Sequence, residues 1–248
     1  MTPYASRGVH GQTVEALAHR LLGGEWAEGA TLDLVALRGE LDVSLTALRE
    51  SLKVLAAKGL VDARQRRGTF VRPRTQWNLL DPDVLRWRLA AAPADRGADV
   101  SLQRDLGEVR AIVEPAAARL AAERRAPDDL AALEESLTAM SRAGSPAEAA
   151  AADLAFHRAL LTATHNELLV RMEPVFASGL AERDVLVHSS ATAADPVPHH
   201  RAVLTAVREG DATGAEALMR ALLDQAARDL DRATRDLAPA GEHHQPHG

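Results

Sequence analysis

From Pro82 to about residue 237 the apolar residues keep to a helical period, and that regularity constrains the fold more than any other feature. Alternating stretches, the mark of half-buried strands, do not occur there. Alanine and leucine dominate while aromatic residues make up only 3% of the chain, a bias toward helices over sheets. Start signals punctuate the run. Ser101 can cap "LQRDLGEVRAIVEPAAARLAAERR", Pro127 opens "DDLAALEESLTAM" and Ser145-Pro146 opens "AEAAAADLAFHRALLTAT". Asn166 precedes "ELLVRMEPVFASGLAERDVLVH", and Pro196 and Pro198 precede "HHRAVLTAVREG". Asp211 starts a last helix striped by Leu218, Leu222 and Leu223. With a short helix from Pro82, the pattern predicts an all-α bundle of about seven helices.

The first 74 residues are organised differently. Val14, Leu17, Ala18 and Leu21 recur at helical spacing in "TVEALAHRLLGG", which Gly23-Gly24 end. A short second helix covers Leu34 to Leu41. Ser44 is placed to cap a third, whose buried stripe is Leu48, Leu52 and Leu55 and whose end is Gly59. "LVDA" and "TFVR" then alternate as two strands around "RQRRG". The expected fold is therefore mostly α: a winged helix-turn-helix over 1–74, a linker over 75–81, a helical domain over 82–237, and a disordered tail over 238–248.

Charge separates the same two parts. The chain carries a net −6, yet residues 1–78 hold 11 Lys+Arg against 8 Asp+Glu, or +3, leaving −9 for the rest. The absence of cysteine excludes disulfides, zinc–thiolate sites and cysteine nucleophiles. "MTPYASRGVHGQ" has no apolar signal core, and no run nears the roughly 18 apolar residues of a membrane span, so a cytoplasmic protein without membrane contact is expected. Arg64, Arg66, Arg67, Arg72 and Arg74 crowd into one hairpin, which calls for an anionic partner. A helix-turn-helix sets the start of its second helix against base edges in the major groove. The buried stripe of the third helix leaves Leu45, Thr46 and Arg49 outward. Arg49 can grip guanine with two donors, and Thr46 and Ser44 can reach phosphate or base. Arg64, Arg66 and Arg67 would lie along phosphates or in the minor groove, with Gly68 allowing the turn. The competing reading is a solvated hairpin whose arginines keep its edge soluble.

"VSLTALRESLKVLAAKGLV" followed by "RRGTFV" closely resembles the DNA-binding segment of the GntR superfamily of bacterial transcription factors, over residues 11–72. The resemblance implies that Ser44, Thr46 and Arg49 stand on the recognition helix and Gly68 and Thr69 at the wing tip. The family's usual arginine after the serine is Leu45 here, which can touch a thymine methyl but cannot read guanine. Residues 80–237 resemble the all-helical FCD-type effector domain of the FadR branch, through "EVRAIVEPAAARLAAERR", "DLAFHRALLTATHN" and "HHRAVLTAVREGDATGAEALMRALL". That resemblance implies a divalent metal, zinc or nickel-like, on Asp153, His157 and His200. Asp153 and His157 share a helix face at i, i+4. The position expected for a fourth ligand is Leu222, and His199 and His188 lack the matching register. It also implies that Arg110 meets an effector's carboxylate, so that Arg110, Asp153, His157 and His200 form the effector site. The residues alone also allow Arg110 to pair with Glu114 at i+4, and His157 and His200 to hydrogen-bond in a polar cavity without metal. "WNLLDPDVLRW" resembles the linker of the subgroup answering to sugar acids such as galactonate, its tryptophans expected to dock the linker on both domains.

These resemblances imply a homodimeric, effector-responsive regulator, a repressor of a catabolic operon whose pseudo-palindromic operator mirrors the protein's two-fold symmetry. Two rivals use the same residues. A metal-dependent enzyme would activate water at Asp153, His157 and His200, but the chain has no HExxH, no G-x-S-x-G and no phosphate-cradling glycine loop. A ligand-independent architectural DNA binder would leave Arg110 and the histidines without a use.

Overall fold

The computed structural model describes residues 8–91, 100–177 and 195–237. They belong to two units, one ending at Arg104 and one beginning at Asp105. The expected tail, 238–248, lies outside the described residues.

In the N-terminal unit, α1 (Gly8–Leu22) buries Val14, Leu17, Ala18 and Leu21, the stripe its spacing predicts. Asp33 caps α2 (Leu34–Glu40) by accepting from the Val35 and Ala36 amides. Ser44 Oγ caps α3 (Leu45–Ala57) by accepting from the Ala47 amide at 3.1 Å, a bond worth about 1 kcal/mol. Leu48, Leu52 and Leu55 of α3 are buried, each contributing roughly 1.5–3 kcal/mol. Gly59 ends this helix at φ 78°, where a Cβ would stand 2.6 Å from the Gln76 carbonyl oxygen. Only glycine fits there.

β1 (Val61–Arg64) and β2 (Gly68–Val71) pair antiparallel, with Val61 opposite Val71 and Arg64 opposite Gly68. The chain at 29–32 lines the other side of β2: Leu32 donates to the Thr69 carbonyl at 2.8 Å, and Val71 to the Ala30 carbonyl at 2.9 Å. The sequence pattern missed this segment because Gly-Ala-Thr-Leu is too short to show alternation. After a 3₁₀ turn at Arg74–Gln76 comes α4 (Pro82–Ala90), capped by Asp81. The sequence reading assigned α4 to the helical domain and put a boundary at 81/82. Its packing differs: Val84 and Trp87 join the core of α1 and α3, and Trp87 Nε1 donates to Glu15 Oε2 at 2.7 Å. Trp77 packs against that same core and donates to the Arg72 carbonyl at 3.0 Å. Both tryptophans thus serve the N-terminal unit, where their large apolar faces find cover.

The C-terminal unit is built on α5 (Val100–Arg124), α6 (Pro127–Arg142), α7 (Pro146–Ala163), α8 (residues 167–177), α9 (Val197–Glu209) and α10 (Ala212–Leu237). Among the described residues α4 to α10 are the seven helices the periodicity predicts, with no strand between them. Ala118, Ala121 and Ala122 of α5 are fully buried and share one core with Phe156 and Leu160 of α7. Leu204 and Val207 of α9 and Met219 of α10 complete this core. No described helix is long and apolar enough to cross a membrane.

Candidate functional site

The expected DNA-reading residues take several different environments. Thr46 and Arg49 stand exposed on α3, and Leu45 is half-buried beside them. Ser44 is exposed too, but its oxygen is engaged as the helix cap. Its hydroxyl still has a proton to donate. In the wing, Arg64, Arg66, Arg67 and Gly68 are exposed. Arg66, at φ 68°, and Gly68, at φ 80°, together make the turn. Arg67 is engaged despite its exposure: its guanidinium lies 3.6 Å from the Phe70 ring centroid and donates to the Gly29 carbonyl at 3.0 Å. Thr69 departs from expectation. It is only 9% exposed, in a run where Phe70 and Val71 are buried as well, and its carbonyl receives Leu32. It shapes the wing rather than lining its surface.

The second site lies inside the helical unit. Helical spacing brings Arg110 and Glu114 of α5 to one turn-to-turn face, Asp153 and His157 of α7 to another, and His200 of α9 toward both. All five are buried in an otherwise apolar core. Arg110 Nε donates to Glu114 Oε1 at 2.6 Å, and Nη2 to Oε2 at 3.2 Å. The same Nη2 is 3.2 Å from His157 Nε2. His157 Nδ1 is 2.8 Å from Glu114 Oε2. Asp153 lies 3.6 Å from His157 Nε2 through Oδ2, and 2.9 Å from His200 Nε2 through Oδ1. His200 Nδ1 faces the Pro196 carbonyl at 2.9 Å, and Phe156 packs edge-on against both imidazoles.

Charge sets the protonation of this cluster. Burial alone would raise the pKa of Glu114, but Arg110 and His157 reverse that and bring it to about 2. Asp153 is likewise held well below the usual carboxylate range, since His157 and His200 outweigh its desolvation. Burial pulls His200 down, yet its contact with Asp153 raises it overall. Carboxylates that stay ionised in a dry core are suited to hold a cation.

Asp153, His157 and His200 each offer one ligand atom, all within 4.8 Å of one another. Ligand bonds of about 2.1 Å need donors separated by roughly 3–4 Å, so a small contraction would close the group on a divalent ion. Asp153 Oδ2 and His200 Nε2 are enclosed and complete no hydrogen bond. Two imidazoles and a carboxylate fit a transition-metal ion. Leu222, 5% exposed in the apolar core, supplies no ligand. His199 is exposed, and His188 lies outside the described residues. Sequence reasoning found the Arg110–Glu114 spacing but not that Glu114 also reaches His157. Nor did it find the burial of Lys58 between Asp81 and Asp83, for which "DPD" ahead of a helix was the available signal.

The sequence profile described as "Bacterial regulatory proteins, gntR family" matches residues 10–71, and the FCD domain profile matches residues 105–225. The chain is 34% identical over 226 residues to the galactonate operon transcriptional repressor of Escherichia coli (strain K12), covering 89% of this chain and 96% of that protein. It is 35% identical over 208 residues to the HTH-type transcriptional regulator LutR of Bacillus subtilis (strain 168), covering 81% and 91%. The solved structure of Lar, described as controlling expression of the Listeria monocytogenes agr system, superposes with a TM-score of 0.62. It covers 91% of this chain and 98% of that one at 17% identity, a likeness of fold alone.

Proposed function

The chain belongs to the gntR family of bacterial regulatory proteins and carries an FCD domain, and on that premise we propose a cytoplasmic homodimer that represses a catabolic operon until a small hydroxy-carboxylate such as a sugar acid binds it. It is a DNA-binding transcription regulator, not an enzyme. In this reading Arg49 and Thr46 read base edges, Leu45 meets a thymine methyl, and Ser44 donates to phosphate. Arg64 and Arg66 follow the backbone, while Gly68 and Thr69 shape the wing that carries them.

The observation that carries the effector half is the convergence, in one dry cluster, of an arginine with an Asp–His–His donor set. Arg110 would take the carboxylate as a planar two-pronged donor. Asp153, His157 and His200 would hold zinc or a nickel-like ion, which when bound supplies a Lewis-acidic anchor for a hydroxyl. Leu222 gives no ligand, so positions on the ion remain for effector oxygens and water. The sugar-acid class draws further support from the galactonate operon repressor among its relatives.

Since Arg110, Asp153, His157 and His200 are each no more than 6% exposed, a ligand must part α5, α7 and α9 to reach them. A ligand that binds the parted arrangement more tightly shifts the population toward it, and DNA affinity falls by linkage. The test is fluorescence anisotropy of the chain on DNA from its own upstream region, titrated with galactonate, with and without zinc. Galactonate should weaken binding about 5–150-fold. If no hydroxy-carboxylate moves the curve, with zinc or without it, the switching reading fails.

A further inference from the structure

We propose that Glu114 is a positioning residue for the ion: it holds His157 in the tautomer whose Nε2 lone pair faces Asp153 and His200. The inference rests on the metal reading above and concerns a residue that the donor set itself does not include.

Two independent contacts fix the same proton. His157 Nδ1 lies 2.8 Å from Glu114 Oε2. A nitrogen lone pair at that distance from a carboxylate would repel it, so the proton sits on Nδ1 on the side of Glu114, although the angle is too bent to complete a hydrogen bond. On the opposite side of the ring, Arg110 Nη2 approaches Nε2 to 3.2 Å. A guanidinium only donates, so Nε2 must accept. Nε2 is therefore the atom left to bind a cation.

His200 shows the same device built from backbone. Its Nδ1 is 2.9 Å from the Pro196 carbonyl, which can only accept, and its Nε2 is aimed at Asp153. Both imidazoles thus carry a proton on the outer nitrogen. His157 presents a free inner one, while the inner nitrogen of His200 faces Asp153 Oδ1 at 2.9 Å and would give up its proton to admit an ion. Such outer partners fix ring orientation and basicity at metal sites. A carbonyl cannot be removed by mutation, but Glu114 can. Glu114 also holds both arms of the Arg110 guanidinium, so the cation-binding and anion-binding halves move as one piece.

The experiment compares full-length wild type with Glu114→Gln and with the double variant Arg110→Met, Glu114→Met. Thermal melting first establishes that each is folded. Zinc affinity is read by competition with a chromophoric chelator, and the tautomer of His157 by ¹⁵N NMR of its ring nitrogens before zinc is added. Both variants should bind zinc about 10–100-fold more weakly, and His157 should change from Nδ1–H to a mixture. The double variant keeps the net charge and removes the arginine that competes for Nε2, so its loss cannot be assigned to missing negative charge. Unchanged zinc affinity with His157 still protonated on Nδ1 overturns the role of Glu114. A wild type that takes no zinc sinks the metal reading instead, while the NMR spectrum still decides whether Glu114 sets the tautomer.

Discussion

In the N-terminal unit Lys58 Nζ lies 2.8 and 2.9 Å from the two oxygens of Asp81 and 2.8 Å from Asp83 Oδ2, so each ammonium proton has an acceptor. In the C-terminal unit the buried charges are more numerous and less settled: Asp153 Oδ2 completes no hydrogen bond, and a guanidinium rests on the lone pair of a histidine. Both clusters are buried, but they differ in what remains unsatisfied. A saturated cluster has nothing to offer a ligand and serves to tie elements together, here the end of α3 to the start of α4. A cluster with spare lone pairs in a dry core costs stability and is set up for a guest.

The largest expected effect tests the closed cluster. Lys58→Met takes from buried Asp81 its ammonium partner and leaves Asp83 with Arg86 at 3.4 Å, and should cost about 3–5 kcal/mol in urea unfolding. A loss under about 1 kcal/mol would mean that water reaches the site and that it is closed only on paper. Next comes the open cluster. Zinc at a hundred times its dissociation constant should stabilise the protein by about 2.7 kcal/mol, and Asp153→Asn should abolish the gain. Zinc stabilisation that survives Asp153→Asn but vanishes in Asp81→Asn would reverse the roles of the two clusters. On the DNA side, Arg49→Ala should lose about 1–3 kcal/mol on operator DNA with little change on random DNA. Equal losses on both would make Arg49 a phosphate contact.

The smallest effect belongs to an ion pair of intermediate exposure. Burial opposes ionisation of Glu15, but hydrogen bonds from Arg86 and Trp87 prevail and lower its pKa. A lowered carboxylate contributes stability above its unfolded pKa and loses it as pH falls through the folded one. Arg86 is 41% exposed, so the contribution should stay below about 1 kcal/mol. Glu15→Gln should therefore weaken the protein slightly at neutral pH and flatten the stability curve below pH ~4.5. An unchanged acid limb would show that the pair contributes nothing.

What the sequence discloses follows the range of the interaction involved. The stripes of α1 and α3, the Ser44 cap and the i, i+4 pairs Arg110–Glu114 and Asp153–His157 are local, and spacing alone reveals them. The place of α4 was not readable, because it depends on Lys58 reaching Asp81 and on Trp87 reaching Glu15 across the unit. The burial of Thr69 beside Phe70 and Val71 was hidden as well. Residues 29–32 lie along β2 there, a segment too short to announce itself. Glu114 looked like half of a surface pair until α7 brought His157 against it. Fold class is thus a matter of period, whereas the connectivity of charge in the core is decided by packing between helices.

Anomalous diffraction at the zinc edge, on crystals of the zinc-soaked protein, would decide whether the open cluster takes a guest. A single peak about 2.1 Å from Asp153 and from the Nε2 atoms of His157 and His200, with Arg110 withdrawn from His157, is the outcome expected here. Crystals with no peak at that position, and Arg110 still resting on His157, would show that this core stores its charges for structure alone.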